Sequence, residues 1–194
     1  TSEFAGYIAY CQKEGIISGY ADGSFRPTGT LTGYAFMKML LGALGYDSNL
    51  EGYVGDNWSI NVAKQALGIK LTKGLEGEFN GLKAVSREEA CLYAFRTIQA
   101  DLVEYGQRVS TIVNGQEIIL STGGAKSRTW GSQATKYDHI RNDGLVQFAE
   151  EYFNKLEKKV GEDEFERPAY TWIYDKEEIQ VYAGRSNSSS PTFF

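Results

Sequence analysis

The stretch Gly15-Ile16-Ile17-Ser18-Gly19-Tyr20-Ala21-Asp22-Gly23-Ser24-Phe25-Arg26-Pro27 constrains this chain more than any other, because an altered copy follows it. Asp22-Gly23-Ser24-Phe25 returns as Glu76-Gly77-Glu78-Phe79, and Leu31-Thr32 returns as Val85-Ser86, both at one common offset. Gly15-Ile16 aligns with Gly68-Ile69 at an offset one residue shorter. A helix–loop–helix unit is therefore present twice. Neither copy can bury its apolar face alone, so the two must pack on each other. No comparable loop appears one period further on, at Tyr137 to Asn154.

The loop's own chemistry makes it a structured connector. Gly15 suits a helix C-cap, where a left-handed backbone costs least without a Cβ. Asp22 can hold the backbone two residues on, Gly23 supplies positive φ, and Pro27 presses Arg26 towards an extended conformation. Ile16, Ile17, Tyr20 and Phe25 are four apolar side chains that the loop has to bury.

The flanking segments carry helical periodicity. Residues 3–14 put Phe4, Ile8 and Cys11 on one stripe with Tyr7 beside it, and Ser2 as a candidate N-cap. Thr32 can cap a second helix to about Leu44, burying Phe36, Met39, Leu40 and Ala43. A third, from about Ser59 to Leu67, places Ile60, Ala63, Ala66 and Leu67 inward, with Trp58 as a core anchor. Ser86-Arg87-Glu88-Glu89 is the clearest capping box. Its helix runs to about Tyr105 with Ala90, Ala94, Ile98 and Leu102 buried.

The remainder is of another kind. Val109 to Val113 and Gln116 to Leu120 flank Asn114-Gly115, the strongest short hairpin signal. Ser121 to Lys136 reads as a surface loop. Asp143 can cap a long amphipathic helix with Leu145, Phe148, Ala149, Tyr152, Phe153, Leu156 and Val160 on one face. Two further strands, Tyr170 to Tyr174 and Glu178 to Ala183, form a second hairpin before a Ser-rich tail. The expected class is α+β: a mainly helical pair of repeats (1–52 and 53–106), then an α+β region (107–185) of two β-hairpins and one long helix, then a flexible tail (186–194).

Composition excludes several functions. A net charge of −5 argues against nucleic acid or an anionic membrane as the main partner. No apolar run is long enough to span a membrane. Cys11 and Cys91 read as two buried thiols, with a single bridge as the alternative, and no Cys/His cluster suggests zinc. A calcium loop at Asp22 lacks its closing acid, since Gly33 stands there. His139, the only histidine, could pair with Cys91, but no nucleophile elbow accompanies it. The acidic pairs Glu88-Glu89 and Glu150-Glu151 diverge on their helices. The expectation is a protein without catalytic residues, metal or cofactor.

Gly15 to Pro27, followed by Leu31-Thr32 and a helix ending Leu44-Gly45, closely resembles the S-layer homology repeat. That pattern runs GIIxGYxDGxFxP, then a Thr-Arg-x-Glu helix start, then Ala-Leu-Gly. The second copy fits the helix start with Ser86-Arg87-Glu88-Glu89, whereas the first carries Thr32-Gly33-Tyr34-Ala35. The likeness covers residues 3 to about 105. In that family three repeats form a pseudo-threefold bundle whose grooves hold a cell-wall polysaccharide, often bearing pyruvate ketals. The resemblance thus implies an extracellular module that anchors its protein non-covalently to a Gram-positive wall through secondary cell-wall polysaccharide. The alternatives are a structural S-layer or adhesion subunit working by self-association and, after it, an enzyme acting on wall glycan.

The resemblance carries the family's groove arginine onto Arg87 and its helix-start acid onto Glu89. Arg87 at a helix start can receive an acidic sugar substituent, or it can pair with Glu88 or the turn before it. Arg26 can line a groove or stack on Tyr20 or Phe25. Asp22 reads as a turn-former and Tyr20 as a sugar-stacking or core ring. The candidate ligand residues are therefore Arg87, Glu89, Arg26, Asp22 and Tyr20.

Overall fold

The computed structural model describes residues 3–183, apart from 21, 76, 107, 108, 115 and 122. It mixes helix and sheet in the α+β class. The first helix, α1 (Ala5–Lys13), ends in a left-handed Gly15 (φ +72), and Ile16 N–H donates back to the Cys11 carbonyl at 2.9 Å. Those are the marks of a glycine-terminated helix. The organising loop then runs into α2 (Gly33–Ala43), whose N-cap Thr32 accepts from Ala35 N–H through its hydroxyl. α3 (Trp58–Gly68) and α4 (Arg87–Thr97) follow, and α4 opens on a reciprocal capping box between Ser86 and Glu89.

The ends of the two long loops are stitched together by backbone. Gly33 N–H donates to the Lys83 carbonyl (3.0 Å), Val85 N–H to Leu31 (2.9 Å), and Tyr34 N–H to Gly81 (2.9 Å). This seats the starts of α2 and α4 side by side and closes Phe79 edge-on against both Tyr34 and Tyr93. A Cβ on Gly33 would lie 3.0 Å from the Gly81 Cα, tighter than ordinary contact, so the facing Gly81 backbone would have to give by a few tenths of an ångström.

Beyond α4 the chain turns to short strands. β1 (Val103–Tyr105) pairs antiparallel with β4 (Ala125–Ser127), and β2 (Val109–Val113) with β3 (Gln116–Ser121), Val113 opposite Gln116. A 3₁₀ turn at Gly131–Gln133 and the short α5 (Ala134–Tyr137) lead to α6 (Phe148–Tyr152). The antiparallel sheet β5–β6–β7 (Leu156–Glu162, Pro168–Tyr174, Glu177–Ala183) completes the described residues.

One core joins Met37, Leu41, Val62, Ala66, Leu71 and Tyr93 of the helical part to Leu102, Val103 and Val146. A second cluster sets Trp172 of β6 against Ile140 and Ala149, with Phe95 and Ile98 packed alongside. Both clusters mix residues from before and after position 106.

Several expectations are corrected. The long helix from Asp143 is five residues of α6, and Leu156 to Glu162 is strand. Asp143 is not its cap, because that carboxylate accepts from Leu145 N–H and Gln147 Nε2 and pairs with Arg141. Gln147 and Glu150 form the capping box instead. Leu156, Lys158 and Val160 also alternate with period two, and pairing with β6 decides in favour of strand. α4 stops at Thr97, short of Tyr105, because Leu102 and Val103 N–H groups donate to Val146 and Leu44 carbonyls. The segment read as a surface loop, 121–136, contains β4 and α5.

Buried faces also differ from the periodicity. α2 buries Gly33, Met37 and Leu41, and α4 buries Leu92, Tyr93 and Thr97. α3 buries Val62 and Ala66, while Ile60 is 65% exposed and Leu67 is also exposed. α1 buries nothing: Phe4, Tyr7 and Tyr10 are all exposed, Tyr7 by 73%. Cys11 is half-buried, Cys91 is exposed on the outward side of α4, and both thiols are free. Ser2 and the tail 186–194 lie outside the described residues.

Candidate functional site

The four apolar side chains of the organising loop are not sealed into a core. They wall a cavity of about 730 Å³ between the loop, one face of α2 and the segment leading into α3. Ile16 and Ile17 are half-buried, and Tyr20 and Phe25 stay substantially exposed at its rim. Met39 of α2 and Trp58, first residue of α3, close the other side.

The loop holds its shape through Asp22. Its Oδ1 accepts from the Ser24 amide (2.9 Å) and hydroxyl (2.6 Å), and its Oδ2 accepts from Arg26 Nη2 at 2.8 Å. Those bonds, the Ser24 hydroxyl's above all, hold the Asp22 carboxyl below the usual carboxylate range. Arg26 in turn lies 4.5 Å above the Tyr20 ring. Gly23, with φ +76, supplies the left-handed residue that this Asx turn needs.

Among the described residues two cations line the cavity, Arg26 and Lys38, and no aspartate or glutamate does. Lys38 projects from the second turn of α2, with its ammonium 5.7 Å from the Trp58 ring. Burial pushes its pKa down. Tyr53, 1% exposed, also lines the cavity, and its hydroxyl has no hydrogen-bond partner among the described residues. The arrangement offers aromatic surface and positive charge together, the chemistry that receives an anionic ring compound.

The structure thus brings Tyr20, Asp22 and Arg26 together and leaves Arg87 and Glu89 elsewhere. Glu89 Oε2 accepts from Ser86 N–H at 2.7 Å, so its carboxylate is occupied by the cap. Arg87 sits exposed on the first turn of α4, and neither residue lines the cavity. Sequence reasoning missed Lys38 and Tyr53. Lys38 carried a signal, being the only charged residue of α2. Tyr53 lies between α2 and α3, in a stretch without helical or strand periodicity to mark it.

Comparison with known proteins agrees with a cell-surface class. The family model of the S-layer homology domain matches residues 1–33, which include the whole organising loop. A surface layer protein of Brevibacillus choshinensis is 24% identical over 119 residues, which are 61% of this chain and 10% of that protein. The chain therefore spans about a tenth of that relative's length. No solved structure matches. These findings show that residues 1–33 are similar to an S-layer homology domain and that the chain is distantly similar to part of a surface layer protein. Among the described residues no helix is long and apolar enough to cross a membrane.

Proposed function

We propose that this chain holds its protein on the cell wall by binding secondary cell-wall polysaccharide, without catalysis, in the cavity between the organising loop, α2 and α3. The observation that carries this reading is the lining. Among the described residues, aromatic rings and two cations share one cavity with no carboxylate, in a chain whose net charge is −5. Tyr20 and Trp58 offer stacking faces, and Arg26 offers a fork for an acidic substituent such as a pyruvate ketal. Residues 1–52 and 53–106 are the two copies of the repeat in this reading. Asp22 is then the residue that aims Arg26.

The test is co-sedimentation of the chain with wall sacculi that retain their polysaccharide, set against sacculi from which it has been extracted. The expected result is retention by the first alone, weakened roughly tenfold by Arg26→Ala, the loss of one charge-assisted contact. Equal retention by both preparations would overturn the reading. Arg87→Ala tests the second helix start as a further contact and is expected to weaken binding less than Arg26→Ala.

A second reading, association between protein surfaces, is favoured by one observation: Tyr7 and Tyr10 of α1 are exposed. A concentration-dependent sedimentation coefficient that Tyr7→Glu abolishes would support it.

A further inference from the structure

We infer that Lys38 is the residue that reads the charge of the polymer: the ammonium of α2 receives an anionic oxygen of the ligand, and Arg26 assists from the rim. This rests on the wall-binding reading above. Half-buried lysines usually find a carboxylate, because taking an ammonium out of water is costly without a counter-charge. Lys38 has none: it forms no ion pair among the described residues. Burial is the only cause of its lowered pKa, so no nearby charge offsets its desolvation.

The rest of the cavity points the same way. Sharing the cavity with Lys38 are Tyr20 and Arg26 from the loop, Tyr53 from the segment after α2, and Trp58 from α3, whose ring lies 5.7 Å from the ammonium; among the described residues none of the lining is acidic. Arg26 is already engaged by Asp22 outside the cavity, so its charge is partly spent before a ligand arrives. Lys38, whose ammonium meets only the Trp58 ring, is the cavity cation without a carboxylate partner among the described residues. It stands between Met37 and Met39 on an otherwise uncharged helix.

The experiment uses the full chain and sacculi that retain their polysaccharide, with binding followed from neutral to alkaline pH. Lys38→Met is expected to bind roughly tenfold more weakly with its thermal midpoint unchanged or raised, since the substitution removes a desolvated charge. Lys38→Arg is expected to bind at neutral pH and to keep binding at alkaline pH where the wild type lets go, because a guanidinium stays charged. If Lys38→Met sediments like the wild type while Arg26→Ala does not, the inference falls and the cavity stands. If Lys38→Arg loses binding at the same pH as the wild type, Lys38 is not the titrating contact. If the wild type does not distinguish extracted from intact sacculi, the wall reading itself falls first.

Discussion

Glu150 is a buried carboxylate whose partners are all N–H donors. One oxygen accepts from Ile140 N–H (2.8 Å), the other from Trp130 Nε1 (2.9 Å) and Gln147 N–H (3.1 Å). It is 2% exposed and ties the loop before α6, the α6 cap and a tryptophan side chain together. Glu150→Ala would strand those donors in the interior and is expected to cost about 3 kcal/mol in chemical denaturation. Tyr93 raises a pH question at the same scale. Its hydroxyl is buried without a partner among the described residues, and burial pushes its pKa up to about 12. Folding therefore favours the neutral phenol. The stability this represents is complete below the unfolded pKa, about 10, and is lost as pH rises towards 12. The thermal midpoint of the wild type should fall across that window, and Tyr93→Phe should flatten the fall. An identical decline in the variant would show that Tyr93 is not responsible.

Among elements, the starts of α2 and α4 are alike in one respect and differ in another. Both begin on a hydroxyl cap, Thr32 and Ser86, but only α4 has the returning glutamate. Ser86→Ala should cost about 1 kcal/mol, and adding Glu89→Ala should cost less than the sum of the two single changes, since both serve one box. Simple additivity in urea titrations would contradict a shared cap. The opposing start explains why Gly33 stands where the repeat pattern has arginine. The stitch between Leu31–Gly33 and Gly81–Val85 makes the space for a Cβ there tighter than ordinary contact. Gly33→Arg should therefore destabilise by about 2 kcal/mol. Those caps and the Gly15 stop were legible because they depend on neighbours in sequence. The strand at Leu156 to Glu162 was not, since Glu157, Lys158 and Lys159 suit a helix and their strand geometry comes from Ile173, Trp172 and Thr171 across the sheet. The candidate site was half legible for the same reason. Asp22, Arg26 and Tyr20 meet within one loop, whereas Lys38 and Trp58 join them only through the packing of α2 on α3.

For the whole molecule, the composition shift near residue 106 does not coincide with a break in packing. Val146 (2% exposed) and partly buried Trp130 and Phe148 share the core of Met37, Leu41 and Tyr93, and Trp172 packs against Phe95 at 5.6 Å. Backbone bonds cross the same line, from Leu102 N–H to the Val146 carbonyl (2.8 Å) and from Phe148 N–H to Ala100 (2.9 Å). A chain cut after 106 would expose Leu102 and leave the Leu102 amide and the Ala100 carbonyl without these partners. Interleaved cores of this kind unfold together, because neither half keeps its apolar surface covered when the other leaves. The expected outcome is one denaturant transition, with Trp58 and Trp172 reporting the same midpoint in single-tryptophan variants. Val146→Ala, about 2 kcal/mol of lost core packing, should move both reporters equally. Two separated midpoints, or a Val146→Ala effect confined to Trp172, would mean that the helical repeats fold as an independent unit on which the strands merely rest.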